Sequence, residues 1–229
     1  MSSSFALRTR LGTLALAAAG LLFILYPALR PWHDESTVDG AIASMDSAAW
    51  LAAHLFAMIG FILVALGLLA VRQVVTDPGA ERTAFAAVVT GWVGAGLTLP
   101  FYGAETFALN AIAGRAAQGE QFDLLEMIEA VQFGPLAATT FGIGLLGLAV
   151  AGVLAAVAVW RSGDLPRFSG VPFAVGLALF LPQFFTPPAI RITHGAVLGL
   201  GAMWLALVVW RAARPAVRTA TIDRWPANG

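Results

Sequence analysis

Charged residues divide this chain into long apolar stretches. Six runs of 19 to 31 residues carry no Asp, Glu or Arg: Arg10 to Arg30, Asp46 to Arg72, Arg82 to Glu105, Glu129 to Arg161, Arg167 to Arg191, and Arg191 to Arg211. A hydrocarbon core needs about 20 apolar residues per helix, so each run predicts a membrane-spanning helix. The spans read as roughly 10–29, 49–72, 84–112, 134–160, 170–186 and 190–211. The fifth is the weakest. It carries Pro182 and is followed by Pro187 and Pro188, which admits a break near Pro182 or a half-inserted helix. The expected fold is all-α: one integral membrane domain over 1–229, built as a polytopic bundle of six transmembrane helices in three successive hairpins.

Between the third and fourth spans, Gly119 to Gln132 predicts a further helix lying in the membrane plane. Glu120, Asp123, Glu126 and Glu129 recur at three-residue spacing, opposite Leu124, Leu125, Ile128 and Val131. The plain expectation is an acidic amphipathic connector at the interface; the sharper one is an acidic lid over a pocket. Small residues stud the spans. Gly60 and Gly67 share a face of the second, and Gly195 and Gly199 form a small-xxx-small pair in the sixth, which predicts close helix contacts.

Composition narrows the class. The 229 residues are 59% hydrophobic and only 11% charged, with mean hydropathy +0.82. A soluble domain carries about 25% charged residues, so a soluble enzyme is disfavoured. The chain has no cysteine, which excludes a disulfide or thiolate metal site within it. All 13 basic residues are arginine, which excludes lysine Schiff-base chemistry. Net charge is zero, and no basic patch lies outside the termini, so no nucleic-acid partner is expected.

The arginines set an expected orientation. With the N-terminus in the cytoplasm, Arg8, Arg10, Arg72, Arg82, Arg161, Arg167, Arg211, Arg214, Arg218 and Arg224 fall inside, and only Arg30, Arg115 and Arg191 outside. Both termini are then cytoplasmic. The first span resembles a signal peptide in its leading Arg8 and Arg10. However, its apolar run is longer than usual and Tyr26 to Pro31 is not a small-residue cleavage site, so it is expected to be retained. The Ala, Gly and Arg-for-Lys bias points to a bacterial cytoplasmic membrane. The shared ends Val157–Arg161 and Leu207–Arg211 hint at a repeat; an interfacial Trp followed by an inside Arg explains them as well.

Ionisable groups inside a membrane are costly and mark candidate sites. Here they gather at one level. His54 lies about one and a half turns into the second span, and Asp46, Trp50 and His54 are spaced by four. Glu105 follows Pro100, which can kink the third span and turn Phe101, Tyr102 and Glu105 inward. Arg191 and His194 begin the sixth span, and the first loop supplies Trp32, His33, Asp34 and Glu35.

Four readings fit this cluster. In the first, an outer-leaflet pocket takes a lipid or isoprenoid-type ligand, with Glu105 as acid or base and His54 and His194 as its partners, in the manner of a lyase, isomerase or cyclase. Trp50, Phe56, Phe101, Tyr102, Phe133, Phe184 and Phe185 are candidate walls, and Arg191, Asp34 and Glu35 candidate ligand-binding groups. No aspartate-rich diphosphate–magnesium motif is present, which disfavours a prenyl diphosphate. In the second, His54 and His194 ligate haem b, or with Glu105 and Asp34 hold a metal ion. In the third, Glu105 and Asn110 belong to a proton-coupled transporter; the lack of polar groups in the other half of the bundle argues against a continuous path. In the fourth, the chain is an accessory subunit and Glu105 pairs with Arg191 or His194. The expected partners are membrane lipid or a hydrophobic small molecule, with a second copy or another membrane subunit as alternatives.

Overall fold

The computed structural model describes residues 3–213, and every regular element among them is helical. Five stretches are long and apolar enough to cross a bilayer: Phe5–Leu29, Ala48–Val74, Pro78–Ala117, Pro135–Arg161 and Pro188–Ala212. Arg214, Arg218 and Arg224, assigned above to the inner face, lie outside the described residues.

The elements follow from local signals. Helix α1 (Ser3–Leu29) is followed by a turn in which Ser36 donates to Asp34. Thr37 caps a short helix, α2 (Val38–Met45). Asp46 closes α2, and Ser47 accepts from the Trp50 N–H to open α3 (Ala48–Val74). Asp46 therefore does not share a helix face with Trp50 and His54, as its spacing suggested. Asp77 and Pro78 start α4 (Pro78–Gly103). Pro100 removes the N–H owed to the carbonyl four residues back. The backbone then widens into a π-helical stretch, Ala104–Leu109, before α5 (Asn110–Ala117).

Asp123 caps α6 (Leu124–Phe133), which is shorter than the expected connector; Glu120 precedes it and pairs with Arg115 at 3.5 Å. Helix α7 spans Pro135–Arg161. The expected fifth span is represented by α8 (Val171–Ala178) and a 3-10 turn, Pro182–Phe185. The eight residues of α8 rise about 12 Å, against about 30 Å of hydrocarbon. Proline is the cause. Pro182 starts the new turn, Pro187 caps α9 (Pro188–Ala212), and Pro188 is its first residue.

Helix α1 lies between α3 and α9, α4 packs along α7, and α8 bridges α7 and α9. Glycine sets the closest approaches. Gly199 on α9 faces the Gly20 carbonyl of α1, and a Cβ on Gly94 of α4 would lie 2.8 Å from the Gly144 carbonyl of α7. Gly60 and Gly67 receive Phe23 and Leu16 of α1. Large side chains turn outward along these helices, among them Leu14 and Leu21 on α1, Trp92 on α4, Leu146 on α7 and Leu200 on α9. Such an apolar exterior suits lipid as the solvent.

Helices α2, α5 and α6 form a cap over one end of the bundle. Met45, Trp50, Leu109, Leu124 and Ile128 pack there in a small core of their own. Asn110 ties the cap together by donating to the Met45 carbonyl at 2.6 Å.

Candidate functional site

A cavity of about 440 Å³ lies beneath this cap. Its walls come from the end of α1 and the loop after it, the second turn of α3, the end of α4 and the π stretch that follows, the end of α6, the first turns of α7, the 3-10 turn and the first turn of α9.

Glu105 occupies the π stretch. Its Oε2 lies 3.8 Å from His54 Nε2, and its Oε1 accepts from Gln132 of α6 at 3.0 Å. His54 Nδ1 lies 2.8 Å from the Trp50 carbonyl. A carbonyl only accepts, so Nδ1 carries the proton, and Nε2 faces Glu105. The Trp50 indole donates to the Glu105 carbonyl at 2.9 Å, and its ring lies 4.1 Å from the imidazole. One tryptophan thus fixes both members of the pair. At 3.8 Å the carboxyl and the imidazole nitrogen are not hydrogen-bonded; proton passage between them requires approach to about 3 Å or one bridging water or ligand group in the hollow beside them.

Two arginines flank them. Arg30 pairs with Glu35 at 2.8 Å and lies over the rings of Trp32 and Trp50. Arg191 donates to the carbonyls of Phe184 and Thr186 and lies over Trp32 and Phe184. Phe101, Phe133, Phe141, Phe184 and Phe185 supply apolar walls. Phe101 stacks on Phe141 with ring centres 4.0 Å apart. Phe133 and Phe185 are 69% and 85% exposed, which places them at the mouth.

Of the residues singled out from sequence, Glu105, His54, Phe101, Phe133, Phe184, Phe185, Arg191 and Glu35 line this one cavity. Trp50 and Tyr102 stand behind it: Trp50 buttresses the pair, and Tyr102 is buried with its hydroxyl toward Tyr26. Asp34 is outside. It organises the first loop, and the Ser36 hydroxyl and N–H that bond it hold its carboxyl below the usual value.

His194 is not part of the cavity wall. Its Nε2 bonds the Gly176 carbonyl at 2.7 Å, and its ring meets Phe180 edge-on. It lines a separate crevice of about 10 Å³, too small for a macrocycle. His54 and His194 therefore offer no common space for the haem considered from sequence. Among the described residues, no group of three or more His, Cys, Asp or Glu is placed to hold a metal ion. Glu126 and Glu129 of α6 are exposed and do not line the cavity; Gln132 and Phe133, at its end, do.

Sequence reasoning overlooked Arg30, Tyr26, Gln132 and Phe141, all of which line the cavity. Arg30 marked the end of an apolar run and an outer-side arginine, neither of which points to a site, and the other three carry no signal of their own. Comparison with known proteins returns nothing to set beside this site: no family model, no curated relative and no solved structure matches the chain.

Proposed function

We propose that this chain is a multi-pass protein of the bacterial cytoplasmic membrane. It binds a hydrophobic, lipid- or isoprenoid-type molecule in the capped cavity, where Glu105 exchanges a proton with it and His54 is the partner of Glu105. The observation that carries this reading is the pair itself. A carboxyl and an imidazole stand 3.8 Å apart at the wall of an aromatic cavity whose mouth is ringed by exposed phenylalanine.

Orientation follows the arginines, with the cavity in the outer leaflet. The half-length α8 and its 3-10 turn enter the bilayer as a sixth, incomplete segment. That arrangement leaves irregular backbone at membrane depth, which is tolerated where it borders protein or a cavity. Phe184 and Phe185 of that turn do line the cavity. Helix α6 sits at the outer interface, its acids toward water.

Infrared difference spectroscopy of the purified protein, before and after delipidation, tests the proton-handling role. The carboxyl band that shifts on ligand removal is expected to vanish in Glu105→Gln and to move in His54→Gln. An unchanged carboxyl spectrum, or a band that persists in Glu105→Gln, overturns it.

A further inference from the structure

The seam between α4 and α7 closes at Gly94 and Gly144. Toward the cap, a hollow lies on each side of it. One is the cavity. The other is an apolar groove of about 480 Å³, lined by Leu97 and Pro100 of α4 and Ala104 of the π stretch with Pro135, Leu136 and Thr140 of α7. Phe101 lines both. Rotation of this one ring off Phe141 would join the polar cavity to a groove on the outside of the bundle, where Leu136 is 81% exposed.

The polar end carries a second asymmetry. Arg30 is matched by Glu35. Arg191 lines the same cavity, yet no carboxylate lies within 4.0 Å of it among the described residues; its donors meet backbone carbonyls. Carbonyls orient a guanidinium without neutralising it. At a half-buried position on the cavity wall, a cation so placed favours an anionic oxygen group, which it can grip through two N–H donors.

We propose that the ligand is a long-chain amphiphile with an anionic oxygen head, a carboxylate or a phosphate. The head rests on Arg191 beside Glu105, and the chain passes Phe101 into the groove between α4 and α7. This rests on the cavity reading above and adds the class of molecule. Glu105, when protonated, can donate to the same head. The groove takes hydrocarbon because its wall offers little else.

The test uses the full chain in nanodiscs of neutral phospholipid, with oleate, oleyl phosphate, oleyl alcohol and octanoate as equilibrium-binding probes. Either oleate or oleyl phosphate is expected to bind at least about tenfold more tightly than oleyl alcohol, and whichever binds names the head. Arg191→Gln should erase that preference and Arg191→Lys should keep it. Oleate or oleyl phosphate should also exceed octanoate about tenfold. Ala137→Phe, which fills the exposed side of the groove, should remove the chain-length advantage and leave octanoate unchanged. Equal binding of oleyl alcohol overturns the anionic head. Chain-length dependence that survives Ala137→Phe overturns the path. If Phe141→Trp, which fills the cavity, leaves every probe's binding unaltered, the cavity reading falls as well.

Discussion

Trp50 shows how one side chain can set a site it does not enter. Its indole N–H donates to the Glu105 carbonyl, and its main-chain carbonyl accepts from His54 Nδ1–H. Glu105 lies in the π stretch, and such stretches recur at functional sites. Trp50→Phe keeps most of the buried ring and deletes the donor. It should lower stability by about 1–3 kcal/mol, the cost of an unsatisfied buried acceptor, read as a fall in Tm. It should also weaken ligand binding, because Glu105 loses its anchor. Unchanged Tm and binding would mean that the contact does not fix the pair. At this scale the sequence was informative where an ionisable group interrupts an apolar run, as at His54 and Glu105. His194 shows the limit. Similar depth on two helices says nothing about direction around the axis, and each residue turns that direction by about 100°. Gln132 and Tyr26 were silent because an amide or a phenol near a helix end is ordinary until the fold brings the one to the Glu105 carboxyl and the other to the His54 ring.

At the level of elements, charge-free runs located the five long helices to within several residues, because the bilayer demands length and tolerates few charges. The same rule passed over α2. Eight residues between Thr37 and Asp46 are too short to register as a span, although Thr37 offers a capping signal. The short α8 was partly legible in Pro182, Pro187 and Pro188. Helix contacts supply the matching prediction. Gly199 meets the backbone of α1, whereas nothing lies within 4 Å of a Cβ placed on Gly96 of α4. Gly199→Ala should therefore separate α1 from α9 and cost about 1–3 kcal/mol. Gly96→Ala should be neutral or stabilise by up to about 1 kcal/mol. Thermal unfolding of both variants in the same detergent checks the pair. Equal effects would show that small residues do not set this interface.

The molecule as a whole reads as a lipid-solvated bundle with a polar hollow under a three-helix cap. Apolar side chains cover its exterior, and the described ionisable groups within the long helices collect largely at helix ends and at this hollow. Burying the Glu105 carboxyl, the His54 imidazole and the Arg30 guanidinium beside a half-buried Arg191 costs free energy unless they serve each other or a guest. Glu35 and Gln132 offset part of that cost. A bound guest would offset the remainder. The measurement that bears on this most directly is quantitative lipid extraction from the purified wild type and from Phe141→Trp, whose larger ring occupies the cavity. The wild type is expected to release one hydrophobic species in near-stoichiometric amount, and Phe141→Trp at most about a tenth of it with Tm preserved. Identical bulk membrane lipid from both proteins would contradict the account.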